Sequence, residues 1–150
     1  MDILALERQV CFSLAIATRS VLAVYRPILE PLGLTHPQYL VMLALWGESP
    51  LSVKELGSLL QLDSPTLSPL LKRLESAGLI TRSRRADDER VLDVELTEAG
   101  RELRARAEGV PPAVIDRLGM DVARLEELHA ALTEVIAAAR RASAASEAVG

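Results

Sequence analysis

Aromatic side chains are scarce in this chain: one Trp, two Tyr and one Phe among 150 residues. The core must therefore be built from Leu, Val, Ile and Ala, which suits helices better than sheets, where aromatic and β-branched residues concentrate. A single cysteine excludes an intrachain disulfide, and two histidines without any Cys/His cluster offer no structural zinc site. No pattern points to a metal or a cofactor. No run of about 18 apolar residues is evident, so no membrane span is expected. The opening stretch MDILALERQV lacks the basic segment of a secretory signal, and the expected compartment is the cytoplasm.

Basic excess is missing too. The net charge is −4, yet the charge is unevenly placed. Residues 72–85 carry Lys72, Arg73, Arg82, Arg84 and Arg85 against the single acid Glu75, whereas residues 91–150 hold eleven acids and seven bases. A local basic surface on an acidic body is compatible with phosphate contact.

The length reads as one domain, 1–150, able to bury a core unaided. Apolar residues recur at helical spacing from about Leu6 through Val10, Leu14, Val21, Leu22, Tyr25 and Leu29. Pro31 and Gly33 end that helix, and Thr35 with Pro37 opens a second, apolar almost all round. Ser52 and Glu55 have capping-box spacing for a third helix, with Val53, Leu56, Leu59 and Leu60 facing inward. Ser64 is expected to cap a fourth helix whose first position is Pro65 and whose buried stripe is Leu67, Leu70, Leu71 and Leu74. Gly78 suits its C-terminal turn, with Leu79 packing back.

Strands are expected near Leu79–Arg84 and Val91–Leu96, where Leu92, Val94 and Leu96 alternate with Val91, Asp93 and Glu95. The loop between them is read as longer than a two-residue turn and able to project as a wing. Thr97 caps a helix to about Glu108, which breaks at Gly109-Val110-Pro111-Pro112 ahead of a short helical piece. A last helix runs from Asp121 to about Ala142, and the small, polar tail beyond it is expected to fray. The fold class is thus mainly α with a small β-wing. Segment 36–97 forms a winged helix-turn-helix, and helices 6–31 and 110–142 carry apolar stripes that so small a unit cannot cover. Those stripes imply a homodimer, which also supplies the two recognition helices that a palindromic operator needs.

On the recognition helix, Ser64, Thr66, Ser68, Lys72 and Arg73 face outward. Hydroxyls near a helix N-terminus reach base edges or phosphates, and the two cations reach the backbone or a guanine. Arg84, Arg85 and Arg90, on the wing beside Asp88, are expected to bind DNA as well. Read by themselves, Asp88 and Arg90 are an exposed ion pair worth under about 1 kcal/mol. The implied partner is double-stranded DNA.

From Leu74, Gly78, Leu79, Ile80 and Arg82 through Asp88-Glu89-Arg90 to Leu96-Thr97-Glu98-Ala99-Gly100, the chain resembles the MarR family of winged-helix repressors. The resemblance implies that Arg90 enters the minor groove and that Asp88 helps hold the wing. Gln9-Val10-Cys11-Phe12, Tyr25-Arg26-Pro27 and Leu32 to Leu40 resemble the OhrR-type branch, the sensors of organic hydroperoxides. There the cysteine at the position of Cys11 is the sensor and its oxidation releases DNA. Tyr25 matches one of two tyrosines that hold the thiolate, while His36 stands where the other would be. With no second cysteine, the chain resembles one-Cys sensors, which complete the switch with a small external thiol.

A thiolate needs donors or positive charge to exist near neutral pH, whereas a lone cysteine can equally be a small buried hydrophobe. Cys11 and Tyr25 are fourteen residues apart, hence on one helix face but roughly 21 Å apart along it. If Tyr25 holds the thiolate, it comes from the partner subunit, and His36 can join it. The alternative is a MarR-type repressor released by a small lipophilic or phenolic ligand, with Cys11 a bystander. Neither histidine shares a catalytic motif with Cys11, so no enzyme is expected.

Overall fold

The computed structural model describes residues 2–149 and all side chains among them except those of residues 6–8 and 149. The Asp2 carboxylate accepts from the Leu4 N–H and opens α1, Ile3–Leu29, three residues ahead of the expected start. The helix tightens into a 3-10 turn at Glu30–Leu32, which Gly33 closes with φ 74°, a left-handed conformation that favours glycine. Thr35 and Gln38 then cap α2, His36–Gly47, reciprocally: each side chain accepts from the other's backbone N–H. Tyr39, Val41, Met42 and Leu45 of α2 are buried, so this helix is the centre of the core.

Ser52 caps α3, Val53–Leu60, by accepting from the Glu55 N–H. Only Leu56 of this helix is fully buried; Leu59, expected inward, is 62% exposed. The turn at Gln61-Leu62 leads into α4, Ser64–Ser76, and here the cap differs from expectation. Asp63 is the N-cap, its carboxylate accepting from the Thr66 N–H at 2.9 Å, and Ser64 is the first helical residue. A carboxylate at a helix N-terminus also complements the helix dipole, which a hydroxyl does less well. Leu67, Leu70, Leu71 and Leu74 form the buried stripe, each such side chain contributing roughly 1.5–3 kcal/mol on burial. Ala77 and Gly78 (φ 79°) end the helix, and Leu79 N–H returns to the Leu74 carbonyl.

Three antiparallel strands follow the order β1-β3-β2, with β1 at Leu51–Ser52, β2 at Ile80–Arg85 and β3 at Asp88–Leu96. β1, at two residues, is too short to show a sequence period. The expected long loop is also absent: only Ala86 and Asp87 separate β2 from β3, and the irregularity lies inside the ladder instead, between Arg84 and Arg85. Thr97 caps α5, Glu98–Ala107, and also donates to the Gly78 carbonyl at 2.6 Å. Trp46 Nε1 donates to the Gly100 carbonyl at 2.8 Å, which ties α2 to α5.

The helix α6, Val110–Leu118, begins at the residues expected to break the chain, because Pro111 and Pro112 sit in a first turn whose N–H groups have no intrahelical partner. α7 then runs from Val122 to Val149, past the point where fraying is expected; alanine-rich composition sustains it. Two compact units divide the chain, one through Val114 and one from Ile115 onward. In the first, Leu103, Ala107, Val110 and Val114 join the core built on α2 and α4. In the second, Val122, Leu128, Val135 and Ile136 of α7 stand about half exposed. α1 likewise exposes Val10, Phe12, Leu14 and Ile16. Against the composition-based expectation, the Ile3–Leu32 stretch is long and apolar enough to span a membrane by length and composition alone. A helix whose apolar face is reserved for another helix passes the same test.

Candidate nucleic-acid interface and thiol site

The five residues expected on the outer face of α4 are accessible to solvent. Ser64, Thr66, Ser68, Lys72 and Arg73 are all exposed on α4, opposite the leucine stripe. The N-terminal end of this helix borders a groove of about 880 Å³ lined by Lys54, Ser58, Gln61, Ser64 and Arg90 among others. Sequence reading missed Lys54 and Gln61. Lys54 lies one position past Val53, in the first turn of a helix whose pattern is informative only for its buried face.

Three ion pairs order the wing. The Glu75 carboxylate of α4 accepts from the Arg82 N–H and from its guanidinium, at 3.1 and 3.2 Å. This ties the recognition helix to β2, and the Arg82 hydrogen bond holds the Glu75 carboxyl below its ordinary pKa. Arg85 makes a two-point contact with Asp93, Nε to Oδ2 at 3.1 Å and Nη2 to Oδ1 at 2.8 Å. That contact lowers the Asp93 pKa and raises that of Arg85. Arg85 is thus engaged within the wing, unlike Arg84, which is exposed and has no ion-pair partner among the described residues. Asp88 accepts from the Arg90 N–H and Nε at 3.1 and 3.2 Å, and leaves the Arg90 side chain 92% exposed. Sequence reading also missed the Glu75–Arg82 and Arg85–Asp93 pairs. Their only trace is opposite charge on either side of a turn, which many unpaired surfaces share.

Cys11 is exposed on α1. Tyr25 and His36 meet edge to face with ring centroids 4.8 Å apart, and Tyr39 lies 6.1 Å from the Tyr25 ring. Burial lowers the His36 pKa and raises that of Tyr39, to which the neighbouring Tyr25 adds. The fold thus brings Tyr25 and His36 together but leaves Cys11 about four helical turns away in the same chain, roughly 21 Å at 1.5 Å per residue. Beside His36 is a cavity of about 520 Å³ lined by Leu22, Arg26, Glu30, Leu34 and Pro37.

A helix-turn-helix followed by a two-stranded wing with an exposed arginine defines a winged-helix DNA-binding protein. Residues 23–106 match the family model for the transcriptional regulator SarA/Rot. The organic hydroperoxide resistance transcriptional regulator of Bacillus subtilis is 42% identical over 131 residues, 87% of this chain and 89% of its own length. AbfR of Staphylococcus epidermidis has been solved reduced and bound to DNA, with TM-score 0.72 and 37% identity over 89% of this chain and 96% of that one. Its overoxidized form, also bound to DNA, gives TM-score 0.72 at 36% identity, covering 88% and 96%. The chain belongs to the MarR/SarA family of winged-helix DNA-binding transcriptional regulators. These relatives are regulators, not enzymes.

Proposed function

We propose that the protein is a homodimeric repressor that holds a palindromic operator and releases it when an organic hydroperoxide oxidises Cys11. The observation that carries this reading is the Tyr25–His36 contact at 4.8 Å. It gathers two hydrogen-bonding side chains at one end of α1 and leaves an exposed thiol toward the other. Antiparallel crossing of two α1 helices in a dimer puts the thiol of one subunit beside the pair of the other. The exposed apolar residues of α1 and α7 are the surfaces such a dimer covers. The B. subtilis relative's name and the reduced and overoxidized forms in which AbfR has been solved support a redox signal. Both AbfR forms are bound to DNA, so they bear on the thiol chemistry and not on operator release.

In chemical terms, the Cys11 thiolate attacks the distal peroxide oxygen and the O–O bond breaks. The alkoxide leaves as an alcohol after taking a proton, and the sulfur becomes a sulfenate. After the sulfenate takes up a proton, a small external thiol condenses with the sulfenic acid to a mixed disulfide and water. Phenol and imidazole donors favour the initial thiolate; the larger modified sulfur disturbs the seam and hence the separation of the recognition helices. On the DNA side, α4 enters the major groove with Ser64, Thr66 and Ser68 at base edges or phosphates and Lys72 and Arg73 on the backbone or a guanine. Arg84 and Arg90 reach the neighbouring backbone or minor groove, with Asp88 supporting Arg90. This work takes place in the cytoplasm, where the operator is.

One observation favours a second reading: the cavity of about 520 Å³ beside His36 combines the apolar Leu22, Leu34 and Pro37 with Arg26 and Glu30, a lining that suits a small lipophilic or phenolic ligand. A mobility-shift assay on the DNA upstream of the protein's own gene separates the two. Release by cumene hydroperoxide and indifference to salicylate support the thiol switch; the reverse pattern supports the ligand site.

A further inference from the structure

The wing ladder contains a bulge at its functional end. Ser83 pairs with Asp93 and Arg84 with Leu92, but the next rung joins Arg85 to Asp88. One step along β2 therefore corresponds to four along β3, so Glu89, Arg90 and Val91 stand without partners. Bulges of this kind redirect side chains and sharpen strand twist. Arg90 is the central residue of the three, and its side chain is almost wholly in solvent.

Arg85 does not follow Arg84 outward. Its guanidinium reaches past the bulge to Asp93, a carboxylate only 17% exposed, with two hydrogen bonds of 2.8 and 3.1 Å. A two-point guanidinium–carboxylate contact fixes orientation as well as distance. At the other end of the bulge Asp88 accepts both from the Arg90 backbone N–H and from its side chain. The segment carrying Arg90 is thus pinned on both sides, by Asp93–Arg85 and by Asp88.

We infer that Arg85 is a positioning residue for DNA binding: paired with Asp93, it closes the bulge, sets the direction in which Arg90 projects, and takes no phosphate itself. For Arg85 to move to a phosphate it would have to give up both hydrogen bonds of its two-point contact with the Asp93 carboxylate, a charge-assisted pairing stronger than a neutral hydrogen bond. The contact raises the Arg85 pKa and lowers that of Asp93, so both partners stay charged at neutral pH. This inference rests on the reading of Arg90 as a DNA-binding residue.

The test uses the full-length protein and a labelled duplex from upstream of its own gene, with affinity measured across a salt series. Four variants are needed: Arg85→Ala, Arg90→Ala, the double alanine variant, and the exchange Arg85→Asp with Asp93→Arg. Thermal melting checks folding, and an ion pair this accessible should shift the midpoint little. Arg85→Ala should weaken binding by no more than Arg90→Ala does. The double variant should bind no more weakly than Arg90→Ala alone, with the same salt slope, because both changes remove the same interaction with DNA. The exchange should recover most of the affinity. Additive losses, a further fall in salt slope of about 0.9 in the double variant, or an exchange that binds as poorly as Arg85→Ala would overturn the inference. Unchanged binding by Arg90→Ala would instead remove the reading on which it rests.

Discussion

The ring of His36 meets that of Tyr25 edge to face at a centroid distance of 4.8 Å, across the end of α1, a 3-10 turn and Gly33. The contact holds a titratable imidazole in a half-buried place where the neutral form is favoured. Tyr25 and Tyr39 flank it, and Arg26 and Glu30 share the cavity beside it.

A pH dependence of stability follows. The folded-state pKa of His36 lies below its ordinary 6.5, so below about that pH the unfolded chain binds the extra proton first. The contribution of His36 is complete above 6.5 and is lost as pH falls through the interval down to the folded-state value. The melting temperature of the protein should drop over that interval, and His36→Gln should remove part of the drop. Depressed pKa values of Glu75 and Asp93 act at lower pH, below the ordinary 4.5 and 3.8. A wild-type profile that coincides with that of His36→Gln between pH 5 and 7 would contradict the assignment.

Gly100 is a packing requirement. A Cβ there would strike the Leu79 carbonyl oxygen and come within 3.2 Å of a Leu96 methyl. Both belong to the turn and strand that carry the wing, so little can yield. Gly100→Ala should cost about 1–3 kcal/mol, read by urea unfolding, and should also weaken DNA binding through the displaced wing.

Much of this architecture is legible in the chain. The leucine stripe of α4, the Thr35 and Ser52 caps and the Gly78 turn follow from spacing and from residue types with one physical use. Other features are not. Asp63 and Ser64 are both good caps, and only the observed hydrogen bond from Thr66 separates them. Composition around residues 85–91 suggests a long loop, whereas the chain makes a tight turn plus a bulge, a register effect with no local signature. Arg84 and Arg85 look equivalent in sequence, yet one is exposed to solvent and the other holds Asp93. The Cys11 site is readable only through resemblance, since a lone cysteine on an apolar stripe has no distinctive spacing.

Lys72 and Arg90 are two of the four cations proposed to meet the DNA, one on α4 and one on the wing. Replacing either with Ala should weaken operator binding and lower the slope of log affinity against log salt by about 0.9 for each phosphate no longer neutralised. Equal slopes for both variants and the wild type would reject this face.

The exposed apolar positions of α1 and α7 should be covered by a second copy. Sedimentation at micromolar concentration should show dimer without appreciable monomer. Placing Glu at Leu128 and Val135, each about half exposed in the single chain, should shift the protein toward monomer and abolish tight operator binding. A wild-type monomer with full helicity would contradict the dimer.

The most direct measurement concerns Cys11 and its proposed cross-subunit partners: operator release by cumene hydroperoxide, followed in wild type, Cys11→Ser and Tyr25→Phe. The account predicts that Cys11→Ser binds the operator as wild type does and stays bound after hydroperoxide, while Tyr25→Phe is released more slowly and has a higher thiol pKa. Hydroperoxide-driven release of Cys11→Ser at the wild-type rate would contradict it.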